Sequence, residues 1–289
     1  MQRIDSLTPY RLPLVYAEFQ PIKRSVYTML INGILLFLIS FGISEAAPQA
    51  LGDWLAAQSE LSFAERIANT AQAELNTPYF DGPLGEGPEG TRDKDPLIDL
   101  TRVDCVTFVE QTIALSAANT YPEVVDLLQQ IRYRDGKIGY EQRHHFFVSD
   151  WLGNNTWCTD ATASCGVPVA KLTRTISRDG FFDKVGAPEF GDDTPDREVT
   201  VSYIPIEAAC KRLDQLPARA VVTFVGKIDW LFALHCGLYI KDGSGTGLLY
   251  QASSKAGKVI ATPLEEYCKE QQGRYLGILV HEIHPPAFK

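Results

Sequence analysis

The spacing of apolar residues changes partway along this chain, and that change constrains the fold more than any other feature. Up to about residue 131, apolar residues recur every three or four positions, as on the buried face of a helix. Beyond about residue 197, they alternate or form short runs between glycine-rich turns, which is typical of strands. Helices followed by an antiparallel sheet predict an α+β domain, with the N-terminal helices packed on the C-terminal sheet.

Local signals place the individual elements. A capping box, Ser62 to Glu65, predicts a helix that ends before Asn76, and Pro122 predicts a short helix through about residue 131. A second capping box, Thr262 to Glu265, predicts a helix that ends near residue 273. Glycine, proline and aspartate indicate long loops at 79–102, before the predicted helix at Cys105, and at 182–197, before the sheet. Strands are predicted at 220–225, 231–241, 247–254, 258–261 and 275–283.

The N-terminal residues have the pattern of a targeting segment. Lys23 and Arg24 precede an apolar run over 26–43, and small residues follow up to Ala47. This order predicts a secretory signal within residues 1–46, although the run is also long enough to be a retained membrane anchor. Either alternative places residues 47–289, which are expected to form a single domain, in the periplasm or elsewhere in the cell envelope.

The net charge of −9 argues against one class of partner. A chain this acidic, without a basic stripe, does not neutralise phosphates, so no nucleic acid partner is expected. Two adjacent histidines near Cys158 and Cys165 raise the question of a zinc site, but the ligand spacing is wrong for one. No metal or other cofactor is therefore predicted, and a monomer is expected.

The most reactive residue predicted is Cys105, which stands at the first turn of a helix over about 105–116. Asp104 precedes it and can cap that helix, while the valines and isoleucine that follow form one buried face. The partial positive charge and free amides of a helix N-terminus stabilise a thiolate and later an oxyanion. Cysteine at this position is therefore expected to be a nucleophile.

An exported chain with six cysteines is expected to form disulfides. If Cys105 stays free to react, one other cysteine is also unpaired. Cys236 is the natural choice for that second free thiol, because it lies within an apolar strand pattern. The remaining four are predicted to pair as Cys158–Cys165 and Cys210–Cys268.

The segment from Arg143 to Asn155 combines basic, acidic, aromatic and amide groups within thirteen residues. It is too polar for a core and too aromatic for an ordinary surface loop, so it predicts a wall that faces a ligand. The alternative is a solvated connection whose Trp151 and phenylalanines pack inward.

His235 lies alone in a predicted strand, where a histidine is more often structural than catalytic. The hairpin that follows favours catalysis. If its turn, Asp242 to Gly245, is centred near Gly243, His235 lies directly opposite Gln251 on the next strand. Gln251 could then orient the imidazole towards Cys105, giving a nucleophile, a base and an orienting residue.

The order of these groups resembles the papain-like fold of NlpC-type cell-wall peptidases, which has a cysteine at a helix start, a histidine on a strand and a polar residue on the next strand. More specifically, DCVTFVE, RHHFFVSDW, HCGLYI and YQASSKAGKV resemble an exported bacterial family described as N-acetylmuramoyl-L-alanine amidase-like. The resemblance implies Cys105 as nucleophile, His235 as general base, Gln251 as orienting residue and Tyr79 beside the thiol. Many relatives have histidine at the third position, so Ser253 remains an alternative partner for His235.

The resemblance implies amide hydrolysis through a thioester, with peptidoglycan fragments as the substrate. The predicted bond is the amide between N-acetylmuramic acid and L-alanine; the γ-D-glutamyl bond to the diamino acid is the alternative. Sugars are expected to stack on Trp151 and peptide carboxylates to meet Arg143. Two other classes remain open: a papain-like acyltransferase, and a wall-binding or structural protein without free thiols. The substrate-binding residues are predicted to be Tyr79, Asp104, Arg143, His145, Asp150, Trp151, Asn155 and Ser253.

Overall fold

The structure is a computed structural model that describes residues 47–83, 85–192, 194–211, 215–242 and 245–286. The predicted signal or anchor segment, residues 1–46, lies outside this part of the chain. Over the described residues, no helix has the length and apolar character needed to cross a membrane.

Capping residues set the beginnings of the N-terminal helices. Ser62 and Glu65 form both halves of a capping box, and the Thr120 hydroxyl accepts a hydrogen bond from the Glu123 amide. Both caps satisfy amides that a helix leaves without a partner. The four helices are α1 (Ala47–Ala57), α2 (Phe63–Ala73), α3 (Cys105–Ala117) and α4 (Tyr121–Arg132).

The later helices are short, and all but the first of them lie between strands. A π-helical turn, Phe147–Trp151, runs directly into α5 (Leu152–Asn154). The others are α6 (Arg178–Lys184), α7 (Ile206–Ala209) and α8 (Leu264–Glu270). Single 3₁₀ turns cover Arg134–Gly136, Tyr140–Gln142, Thr162–Ser164 and Pro188–Phe190.

The described strands form one antiparallel sheet of eight, in the order β2-β3-β8-β4-β5-β6-β7, with β1 pairing to β8. The five strands predicted from the sequence are confirmed, and β1, β2 and β3 are additional. The α+β class is therefore confirmed. The strands are β1 (Cys158–Asp160), β2 (Ala170–Ile176), β3 (Arg197–Pro205), β4 (Arg219–Val225), β5 (Ala233–Lys241), β6 (Gly247–Ser253), β7 (Lys258–Pro263) and β8 (Gly277–Ile283).

A hydrophobic core lies on each face of the sheet. On one face, α3 packs Phe108 and Ile113, both fully buried, together with Leu238 of β5. Burying side chains of this size contributes about 1.5–3 kcal/mol each, so this packing holds the first turn of α3 firmly against the sheet. On the other face, Phe224 and Tyr275 belong to a second core.

The second predicted capping box is wrong. Thr262 belongs to β7, and Pro263 occupies the N-cap position of α8 without a side-chain hydrogen bond. The β6–β7 ladder continues through this point, with Leu249 paired to Thr262 and Leu248 paired to Pro263. Thr262 therefore keeps a strand conformation and cannot cap the helix. The helix also ends at Glu270, before the predicted end near residue 273.

Neither predicted disulfide is present, and all six cysteines are free. Cys158 belongs to the core on the helix side of the sheet, whereas Cys165 belongs to the core on the other side. Cys210 shares the second core with Cys268, but its sulfur accepts a hydrogen bond from Gln272 Nε2 at 3.2 Å. The prediction reached these pairs by elimination, and it took no account of where the fold places each thiol.

Candidate active site

The first turn of α3 is held in place by Asp104. Its Oδ1 accepts hydrogen bonds from the amides of Val106 and Thr107 at 2.9 and 2.7 Å. The Thr107 hydroxyl in turn accepts from the Asp104 amide at 2.9 Å. Burial, followed by the nearby Cys105 charge, raises the pKa of Asp104 to about 6. The structure therefore gives Asp104 the role of cap, and its predicted role in substrate binding stays a prediction.

A β-bulge directly precedes His235 near the start of β5, which lies between β4 and β6 in the sheet. The β4–β5 ladder pairs Phe224 with His235 and then Val225 with Ala233, so Leu234 is the extra residue of the bulge. A bulge bends its strand and changes the direction of the side chains beside it. His235 Nε2 lies 2.6 Å from Gln251 Oε1.

The predicted register between β5 and β6 is wrong by two residues. Leu238 pairs with Tyr250, so the same register puts Gln251 across from Gly237 and diagonal to His235. A Cβ on Gly237 would lie 2.6 Å from the Tyr250 carbonyl oxygen and 3.2 Å from Gln251 Cβ. The close approach of Gln251 thus depends on glycine here. Gly243 and Ser244, in the predicted turn, lie outside the described residues.

The Cys105 sulfur, half-buried at the helix start, is surrounded by hydrogen-bond donors. The neighbouring donors are the thiol and the backbone amide of Cys236 and the imidazole of His235, which together affect the pKa of Cys105. Since Nε2 faces Gln251, Nδ1 is the imidazole nitrogen left for Cys105. The Cys236 thiol first, then the His235 hydrogen bond and charge, lower the pKa of Cys105 well below its usual value, against the effect of burial.

Cys236 is the functional neighbour that the sequence interpretation missed. It is buried and free, as predicted, and its Sγ also lies 3.2 Å from the Cys105 carbonyl oxygen. Burial and the neighbouring Cys105 raise the pKa of Cys236, so it stays a protonated donor while Cys105 ionises. The only signal for this role in the sequence was that Cys236 directly follows His235. Strand alternation argued against the role, because neighbouring side chains of a strand point to opposite faces of the sheet.

Replacing Cys236 by alanine is expected to raise the pKa of the Cys105 thiol, because the largest stabilising contact of the thiolate is removed. The rate of Cys105 alkylation by iodoacetamide, followed across pH, measures this value. The acidic limb of that profile should move to higher pH in Cys236→Ala. The matched control is Cys158→Ala, which removes a buried thiol elsewhere in the core. Coinciding profiles for Cys236→Ala and wild type would contradict the assignment.

Tyr79, a further predicted residue, lies near the thiol. Tyr79 is half-buried, and its hydroxyl donates to Asp81 Oδ1 at 3.3 Å. Burial, then the charges of Cys105 and Asp81, raise the pKa of Tyr79, so it remains a donor. The Ser253 hydroxyl accepts from the Ala256 amide at 3.1 Å. Gln251 is therefore the partner of His235, and Ser253 is not.

The predicted ligand-facing wall at 143–155 is wrong, because its side chains face inward. Trp151 has no exposed surface and therefore cannot stack on a sugar. The imidazole of His145 bonds the Tyr140 carbonyl at 2.6 Å, and burial lowers its pKa to about 3. Asp150 pairs with Arg197, and Asn155 donates to the Ile131 and Trp151 carbonyls.

Arg143 belongs to a buried ionic cluster behind the first turns of α3. Glu110, 1% exposed, lies 2.7 Å from Arg132 Nε and 3.6 Å from an Arg143 nitrogen. Its other carboxylate oxygen accepts from Trp151 Nε1 at 3.1 Å. Arg143 is 6% exposed, so the expected contact with peptide carboxylates is not available to it.

Comparison with known proteins identifies relatives. A family model described as N-acetylmuramoyl-L-alanine amidase-like matches residues 69–278. No curated protein matches the chain. The described chain has the same fold as several crystal structures, among them a Legionella pneumophila protein with a TM-score of 0.75 and 24% identity, covering 83% of this chain and 95% of that one.

Two Bacteroides structures are also similar. An N-acetylmuramoyl-L-alanine amidase from Bacteroides uniformis has a TM-score of 0.60 and 24% identity, covering 76% of this chain and 99% of that one. A Bacteroides fragilis protein described provisionally as a xylanase has a TM-score of 0.58 and 25% identity, covering 74% and 99%. The shared fold extends over nearly the full length of each relative.

Proposed function

Since the chain belongs to the N-acetylmuramoyl-L-alanine amidase-like family, we propose that it hydrolyses peptidoglycan with Cys105 as a nucleophile. The observation that carries this proposal is the position of the His235 imidazole, which lies near enough to lower the pKa of the Cys105 thiol and is 2.6 Å from Gln251 Oε1. A nucleophile, a base and an orienting residue in hydrogen-bond contact are the parts that covalent amide hydrolysis needs. The arrangement supports placing the fold among the papain-like, NlpC-type enzymes.

The first half of the reaction forms a thioester. His235 accepts the Cys105 proton on Nδ1, and the thiolate attacks the carbonyl carbon of the scissile amide. The Cys105 amide at the helix N-terminus stabilises the oxyanion that results. His235 then donates its proton to the leaving nitrogen, the C–N bond breaks, and the acyl group remains on sulfur.

The second half releases the acid. His235 removes a proton from water, the resulting hydroxide attacks the thioester, and the Cys105 sulfur leaves as thiolate. Gln251 Oε1 accepts a hydrogen bond from Nε2–H throughout and fixes the ring orientation. Glutamine carries no charge, so this orientation comes from hydrogen bonding alone.

The bond favoured by family membership is the amide between N-acetylmuramic acid and L-alanine. Cleavage of the γ-D-glutamyl bond to the diamino acid is the second candidate. A peptidoglycan substrate agrees with export of the chain to the periplasm or cell envelope, which the residue pattern at 1–46 predicts.

Product analysis separates the two bonds. Purified peptidoglycan is incubated with residues 47–289, and the soluble products are identified by mass spectrometry. Stem peptides that begin at L-alanine are the expected result. Fragments ending at D-glutamate would move the cut to the endopeptidase bond, and no release from several wall sources would contradict hydrolase activity altogether.

A further inference from the structure

A cleft of about 340 Å³ opens beside His235, on the face of the sheet opposite α3. Its walls come from the β6–β7 turn and from α8 with the residues after it. Tyr267 forms part of the floor, with its ring 6.1 Å from the His235 ring. The cleft therefore begins at the imidazole that the mechanism uses to protonate the leaving nitrogen.

Charged side chains of both signs line this cleft. Lys255 and Arg274 are cationic, Glu266 and Glu270 are anionic, and all four are exposed. None of them forms an ion pair with any residue in the described part of the chain. The Arg274 guanidinium instead lies 5.2 Å from the Tyr275 ring centre, which holds it at the wall.

The arrangement of the acidic pair is unfavourable for the helix itself. Glu266 and Glu270 stand four residues apart on α8, so like charges face each other on one side of a short helix. Such pairs are destabilising by about 0.2–0.5 kcal/mol in isolated helices. Unpaired charges of both signs in one cleft are suited to a ligand that carries both carboxylates and an ammonium group.

The mechanism fixes which part of the substrate can reach this cleft. His235 must lie beside the nitrogen that it protonates, so the part of the substrate beyond that nitrogen extends along the His235 side of Cys105. For the amide proposed above, that part is the stem peptide, with the carboxylate of D-glutamate and an amino group on the diamino acid. This step rests on the proposed function.

We propose that this cleft binds the leaving stem peptide, with Lys255 and Arg274 receiving its carboxylates and Glu266 and Glu270 its side-chain ammonium group. These four residues determine specificity and take no part in bond making or breaking. Because these residues bind the peptide equally strongly in the ground state and in the transition state, their replacement raises KM and leaves kcat nearly unchanged.

Calorimetric binding of the tripeptide L-alanyl-γ-D-glutamyl-meso-diaminopimelate to the wild-type chain tests the proposal without requiring turnover. The variants are Lys255→Ala/Arg274→Ala and Glu266→Gln/Glu270→Gln. The matched control is Glu265→Gln/Lys269→Ala, which changes α8 residues that do not line the cleft. A second peptide with its side-chain amine acetylated probes the acidic pair.

We expect the Lys255/Arg274 variant to bind the tripeptide at least tenfold more weakly, with the control unchanged. The Glu266/Glu270 variant should bind free and acetylated peptides equally, whereas the wild type should prefer the free amine. Equal affinity in all variants, or no binding to wild type, would overturn the proposal. Binding without hydrolysis of peptidoglycan would leave the cleft assignment intact and reject the proposed function.

Discussion

Replacing Cys105 by alanine is expected to lower the rate of stem-peptide release by at least about 10³-fold. The variant has no group at the helix start that could form a thioester, and the His235 base and the oxyanion donors alone supply only a small residual rate. Release is measured by chromatography of products from a defined muropeptide. The fold should be unaffected, because Cys105 is half-buried and alanine is a good helix former.

The control for this variant is Cys165→Ala, which removes a buried thiol on the opposite face of the sheet. It should keep the wild-type rate. Equal rates for Cys105→Ala and wild type would show that another group attacks the carbonyl. The donors around the Cys105 sulfur would then not be part of the catalytic machinery.

Replacing Glu110 by alanine is expected to lower the free energy of unfolding by about 3–5 kcal/mol. The carboxylate is buried against Arg132 and Arg143, so its removal takes away the ion-pair partner of Arg132 and weakens the stabilisation of the Arg143 charge. Trp151 Nε1 loses its acceptor as well. Urea unfolding followed by tryptophan fluorescence measures the change, seen as a lower midpoint with a similar slope.

The control is Glu60→Ala, at an exposed position between α1 and α2, which should change the free energy of unfolding by less than about 0.5 kcal/mol. A Glu110→Gln variant keeps the acceptor for Trp151 but loses the charge, so it should fall between the two. If Glu110→Ala has the wild-type free energy of unfolding, water or a neighbouring anion must compensate the charges of Arg132 and Arg143, and the prediction is wrong.

Local chemistry made much of the fold predictable. The caps at Ser62 and Asp104 bond backbone amides within four residues along the chain, so a short window of sequence predicts them. The apolar alternation in β4 to β8 can likewise be read from each strand separately. The hairpin β2–β3 was missed because only Arg174, Ile176 and Ile204 of its residues are buried, which weakens the apolar pattern. Its position is set by distant contacts, such as Arg174 with the Gly226 carbonyl.

The predicted wall shows where composition misleads. Its polar groups are paired with partners far away in the chain, such as Glu110 with Arg143 and Asp150 with Arg197, and no local pattern announces such pairs. The same holds for the cleft beside His235, whose charges come from two elements that meet only in the folded chain.

The contact between His235 and Gln251 was predicted for a reason that is only partly right. Both residues were assigned to adjacent strands correctly, but the assumed turn put them directly opposite each other. The observed contact is diagonal, and it depends on the absence of a side chain at Gly237 and on the bulge at Leu234. Neither feature can be read from alternation.

Trapping the thioester tests the central claim most directly. The wild-type chain is mixed with a defined muropeptide, quenched in acid within the first turnovers, and digested for peptide mass spectrometry. The account predicts an N-acetylmuramoyl acyl adduct on the peptide that contains Cys105, sensitive to hydroxylamine and absent from Cys105→Ala. Steady release of stem peptides while Cys105 remains unmodified, and at the same rate in Cys105→Ala, would contradict it.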